Sequence, residues 1–288
     1  MTSLRSPRWH RAAPLALASM LASCGLPGTG GEVVAVEWSF RADVPAGPVI
    51  VETVGENPWE VELLEARLIL GPAYAFAPDR ADRPGLAWLL GPSRAHAHAG
   101  DDNSAGSRVL CELLDQVAVD LLDPTTRSMQ PTFAGAGPVV TLAEAGPVDR
   151  TNIVLDEARY ELAAADGPTG GGHALLRGVA RRIQDGALQE LPFRAVLTGA
   201  TIPDDRIARR VEALPTTGEL VEGARVEIVA DPRPWVRQMD FDLLFDEARN
   251  EAGEVEVPEP SQLHNAWYLG LRDPAGWQVR IEAPRQTR

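Results

Sequence analysis

Residues 173–199 read HALLRGVARRIQDGALQELPFRAVLTG, and the fold class turns on how this stretch is read. At its centre stands Asp185-Gly186, a dipeptide that supplies the positive φ angles of a two-residue turn. Strand-like residues flank it on both sides, and Leu191, Phe193, Ala195 and Leu197 alternate onto one face. The expectation is an antiparallel hairpin. The same period of two recurs in VVAVEWSF (33–40), where Val34, Val36, Trp38 and Phe40 face one way and Glu37 and Ser39 the other. WEVELLEARLIL (59–70) alternates through Trp59, Val61 and Leu63, then changes phase to Leu64, Ala66, Leu68 and Leu70. A phase change inside a strand predicts a bulge.

Further strands are expected over 116–122, 139–143, 152–163, 224–230 and 277–283. Helical signals are few. Residues 232–239 (PRPWVRQM) suit a single turn with proline at its start, whereas 241–250 and 261–268 fit helix or loop equally. With many strands, frequent turn signals and no βαβ rhythm, the pattern is all-β: a β-sandwich with long loops and few short helices. It occupies residues 33–288 as one domain, or as two lobes split near 168–172. No repeat of 20–50 residues is present. The piece from Pro78 to Arg108 is rich in Ala, Gly, Pro, Asp and Arg and reads as one long loop.

The N-terminus has its own logic. Arg5, Arg8 and Arg11 precede a short apolar core, Ala12 to Ala22, that ends in Leu21-Ala22-Ser23-Cys24. The core is too short to span a bilayer. The pattern resembles the lipobox of bacterial lipoproteins, set against the plainer reading of an ordinary secretory signal with a chance cysteine. The resemblance implies that 1–23 is a signal peptide, that Cys24 is lipidated and becomes the new N-terminus, and that the protein sits in the cell envelope. It would then face the periplasm or lie on the outer membrane, where Gly25 rather than aspartate after the cysteine points. Residues 24–32 are glycine-rich and read as a flexible tether. Membrane contact is expected through the lipid alone.

The chain carries 27 basic and 41 acidic residues, a net charge of −14. The leader takes three arginines, which leaves 24 basic against 41 acidic residues and a charge of −17. Such a surface argues against nucleic acid and against adhesion to anionic lipid. Every basic side chain is arginine; no lysine occurs. Besides Cys24 there is one cysteine, Cys111, whose setting among Val109, Leu110, Leu113 and Leu114 reads as core.

Candidate chemistry centres on SRAHAHAGDDNSAG (93–106). His96 and His98 are two apart, so on an extended backbone both imidazoles face one way. Two ligands do not make a site, since structural zinc wants four. A sandwich can bring distant loops together at one end. His96, His98, His173 and His264 are therefore the candidate ligands for copper or zinc, with Asp101 or Asp102 as a fifth ligand or as support, set against four unrelated surface histidines. HAHAGDD also resembles the H-x-H-x-D-H signature of the metallo-β-lactamase fold, but Gly100 and Asp101 stand where aspartate and histidine belong. Asp101 to Glu112 resembles a calcium-binding EF-hand loop, from which Ala105 and Arg108 depart. No G-x-S-x-G, P-loop or dinucleotide fingerprint is present.

Of the tryptophans, Trp38, Trp59 and Trp277 lie in strand patterns and read as core, while Trp88, Trp235 and Trp267 flank loops and read as a ligand surface. The tail, with Asp231-Pro232 ahead of Trp235 and then Met239-Asp240-Phe241, resembles uncharacterised periplasmic copper-associated lipoproteins. The favoured expectation is a non-enzymatic envelope lipoprotein that binds copper or zinc. The alternatives are a metal-free module or scaffold that binds a glycan or protein partner, and a metal-dependent hydrolase.

Overall fold

The computed structural model describes residues 32–78, 108–114, 116–124, 139–155, 167–198 and 210–284. Among these, the strands in chain order are β1 (Val33–Ala42), β2 (Val49–Glu52), β3 (Glu60–Leu70), β4 (Ala73–Phe76), β5 (Val109–Leu113), β6 (Val117–Asp120) and β7 (Val139–Glu144). There follow β8 (Gly146–Val154), β9 (Ala174–Gln184), β10 (Ala187–Leu197), β11 (Arg210–Leu220), β12 (Arg225–Ala230), β13 (Val255–Glu256) and β14 (Trp277–Glu282). The helices α1 (Arg233–Arg237) and α2 (Gln262–Leu271) and two 310 turns complete the described elements. The architecture is all-β, as the alternation predicts.

One sheet has eight strands in the order β11-β8-β4-β5-β7-β1-β12-β14; the other has six, with β13-β10-β9-β3-β2 in line and β6 paired to β3. Pairing is antiparallel except for β1 with β12 and β10 with β13. Strands from either side of Pro168–Gly172 pair with one another in both sheets around one hydrophobic core. Gly218 in β11 lies so close to β14 that a Cβ there would fall 2.5 Å from Ile281 Cβ. This close approach lets the two outermost strands of the eight-stranded sheet pack together, so that the sheet curls towards a barrel.

The hairpin at 173–199 is β9–β10. Its register runs from Leu197 opposite Ala174 to Ala187 opposite Gln184. Asp185 at φ 52° and Gly186 at φ 78° make the turn, as the right-handed twist of the flanking strands requires. The bulge in β3 is also present: its register against β9 slips between Leu63 and Glu65. Leu64 is the extra residue, and its side chain points out rather than in, while Ala66, Leu68 and Leu70 return to the core.

Strand β11 breaks the alternation rule. Its register against β8 shifts twice, and Ala213 takes a left-handed φ of 53°. The amide freed there donates to Asn152 Oδ1 at 2.9 Å.

Between the sheets Trp38, Phe40, Trp59, Phe193 and Phe241 are fully buried. Cys111 belongs to this core as expected, 1% exposed, with Sγ 3.4 Å from Thr141 Oγ1. Burial pushes its thiol pKa up, and the Thr141 contact only partly opposes this.

The outer face of the smaller sheet is a ladder of arginines and acids. Arg177 lies between Glu65 at 2.9 Å and Glu254 at 2.7 Å, and Arg181 between Glu62 at 2.6 Å and Glu190 at 3.2 Å. These hydrogen-bonded carboxylates hold both guanidinium pKa values up. Among the described residues, no helix is long and apolar enough to cross a membrane.

Candidate functional site

Ser261 starts α2: its Oγ accepts from the backbone N–H of His264 at 3.0 Å, one of the donors that a helix start leaves without a partner. Leu263, Trp267 and Leu271 recur at helical spacing and turn one stripe of α2 into the core. His264 and Tyr268 lie beside that stripe and are drawn inside with it. The neighbouring helix α1 can come close because residue 270 is glycine; a Cβ there would lie 2.4 Å from Pro234 O.

His264 is 3% exposed and meets the Trp267 ring edge-on, with centroids 5.5 Å apart. Its Nε2 lies 3.3 Å from the carbonyl oxygen of Val196 and 3.8 Å from Glu259 Oε1. A carbonyl can only accept, so Nε2 carries a proton, and in the neutral ring the lone pair is on Nδ1. Nδ1 has no hydrogen-bond partner among the described residues. On the far side, Glu259 Oε2 accepts from Thr198 Oγ1 at 2.8 Å. A cavity of about 410 Å³ opens beside the ring, walled by Leu197, Pro260, Ser261, His264, Asn265 and Tyr268.

His173 reaches the same region through its backbone. Its N–H donates to Leu197 O at 2.7 Å, and its carbonyl accepts from Ile69 N at 2.8 Å. The imidazole of His264 and the backbone of His173 thus engage successive carbonyls, Val196 and Leu197, at the open end of β10. Of the expected ligands these two are brought to one end of the sandwich. His96, His98 and Asp101 lie outside the described residues, as do Cys24 and Trp88. Among the described residues no three His, Cys, Asp or Glu side chains are grouped to hold a metal ion, so His173 and His264 alone do not complete a four-ligand site.

Two expectations need correction. Trp235 and Trp267 do not form a ligand surface: both are 0% exposed. They flank loops in sequence, but each sits on a short helix whose inner side rests on the sheets. His264, weighed in the sequence against a plain surface histidine, is buried, because it shares the inward side of α2 with Trp267. Glu259, Thr198 and Tyr268 were not legible as parts of a site. Ser261 ahead of an apolar stripe at 263, 267 and 271 was the available signal for the helix that gathers them.

No family model matches the sequence, and no curated protein does either. Among solved structures, MbnP from Methylosinus trichosporium is similar at 14% identity and a TM-score of 0.40, over 88% of this chain and 100% of that one. A likeness of that degree carries no argument about function, which rests on the residues described above.

Proposed function

We propose that this chain is a lipid-anchored protein of the bacterial envelope that binds a transition metal, copper or zinc, without itself catalysing a reaction. The observation that supports this most is the state of His264. A ligating histidine typically gives its other ring N–H to a carbonyl or carboxylate, which fixes the tautomer and aims the lone pair. Val196 O stands in that place, with Glu259 Oε1 3.8 Å from the same nitrogen, and Nδ1 is left over. His173 at the same end of the sandwich is the second candidate ligand, and His96, His98 and Asp101 are the remaining ones. Imidazole donors suit copper and zinc better than calcium.

Calorimetric titration of the full chain with Cu(II) and Zn(II) tests the reading. The expected result is tight binding by wild type, most of it lost in His264→Ala and in the double variant His96→Ala/His98→Ala, with circular dichroism unchanged. Equal, weak binding in all three defeats it. That outcome favours a second reading, a metal-free binding module, which the cavity beside His264 and Tyr268 supports. The anchor is tested separately. Cys24→Ala is expected to release the protein from membranes, because acyl chains and not a helix hold it there; an alanine variant that stays in the membrane fraction overturns the lipid reading.

A further inference from the structure

At the turn end of the β9–β10 hairpin the surface changes character. Ile183 and Leu188 stand directly opposite each other across the hairpin, 78% and 66% exposed. Ile50 of the neighbouring β2–β3 hairpin is 53% exposed. The three line one open cleft of about 800 Å³ on the outer side of the six-stranded sheet. Large apolar groups gathered in this way mark contact surfaces more often than singly scattered ones do.

The charges along the cleft are unbalanced. Glu52 stands directly opposite Glu60 in the β2–β3 register, and Glu56 lies in the turn between the two strands. Like charges opposite each other on one face of a sheet are unfavourable. None of the three carboxylates forms an ion pair among the described residues. The two arginines of the cleft are already engaged, Arg181 by Glu62 and Glu190 and Arg182 by Asp242. Among the described residues no other cation lines the cleft, so its free charge is complementary to a cationic ligand.

The walls are held in place. Thr53 Oγ1 accepts from Trp59 N at 2.9 Å across the base of the β2–β3 turn. The Arg182 guanidinium lies 4.3 Å from the centre of the Trp59 ring and so ties the second hairpin to the first. A cleft already formed costs little to order when a partner arrives.

We propose that this cleft docks a cationic, apolar segment of a partner protein, with its arginines or lysines against Glu52, Glu56 and Glu60 and its apolar side chains on Ile50, Ile183 and Leu188. The assignment does not depend on metal binding at His264, which lies at the other end of the hairpin. The test uses the full chain with labelled isoleucine and leucine methyls and two synthetic octapeptides, one alternating arginine and leucine, the other glutamate and leucine. The arginine peptide is expected to shift the methyls of Ile50, Ile183 and Leu188 in a saturable way, and the glutamate peptide is not. The variants Glu52→Gln/Glu56→Gln/Glu60→Gln and Ile183→Ser/Leu188→Ser, both confined to exposed side chains, are each expected to weaken binding about tenfold or more. Absence of saturable shifts, equal binding of the two peptides, unchanged affinity in either variant, or calcium alone reproducing the shifts overturns the proposal.

Discussion

The two ends of the β9–β10 hairpin treat polarity in opposite ways. At the open end, His264 and Glu259 are drawn beneath α2, where Val196 O and Thr198 Oγ1 supply hydrogen bonds. At the turn end, Ile183 and Leu188 are left in solvent beside glutamates with no ion-pair partner among the described residues. A buried polar group needs a partner inside the protein, and His264 Nε2 and Glu259 Oε2 find one there, while Glu259 Oε1 does not. An exposed apolar group is under no such demand. At the open end polar groups are thus drawn in with the fold, whereas at the turn end apolar groups are left outside it.

The sharpest way to break this contrast is to truncate one residue at each end. Trp267→Ala removes a fully buried ring against His264 and is expected to cost about 3–5 kcal/mol in urea unfolding. Ile183→Ser is expected to stay within about 0.5 kcal/mol of wild type. Equal losses would mean that the turn end is part of the core after all.

Arg182 joins the two regimes: its side chain is 8% exposed, it stacks on Trp59 and it pairs with Asp242. Arg182→Ala is expected to cost about 2 kcal/mol in thermal or urea unfolding, less than a fully buried pair, because Asp242 is 40% exposed and water takes over its charge. Arg182→Lys should recover only part, since an ammonium lacks the planar face that stacks on indole.

Cys111 sharpens the comparison away from the hairpin, because burial is the largest influence on it. Its folded-state pKa is raised above the ordinary 9.0, so the unfolded chain gives up the thiol proton first. Its contribution to stability is full below pH 9.0 and falls as the pH climbs towards the folded-state value. Urea midpoints of wild type should therefore drop more steeply above pH 9.0 than those of Cys111→Ala. Parallel curves would mean that the thiol titrates freely in the native state.

The smallest effect belongs to the turn end. Glu52→Arg turns the like-charge pair with Glu60 into an opposite-charge one and is expected to stabilise the fold by about 0.5 kcal/mol in urea unfolding. The same variant should weaken binding of the arginine peptide. A gain in stability with binding retained would separate the charge pair from docking.

The parts of the fold legible in the sequence were those where side-chain alternation and backbone register agree. The Asp185-Gly186 turn and the phase change near Leu64 are local events written in a few residues. Strand β11 was missed because Pro215, Gly218 and two register shifts erase its alternation, and its pairing is set by Asn152 and Ile281 instead. β4 and β2 are four residues each, too short for a period to show. Trp235 and Trp267 were misread for a related reason: helices of five and ten residues are too short for the sequence to show which side faces the core. The site was half legible. His173 and His264 could be named, but not that the successive carbonyls of Val196 and Leu197 would hold these two at one end.

The parallel pairing of β1 with β12 has a consequence for how the molecule comes into being. Glu37 and Arg225, partners in that ladder, are 188 positions apart. Until the chain has emerged past Ala230, β1 lacks the neighbour on its parallel side, and Trp38 and Phe40 have no finished interior to enter. Contacts this distant in sequence make folding slow and leave sticky intermediates exposed. A strand made early is therefore among the last to be completed, and a holding chaperone on β1 during that wait should raise the yield of native protein.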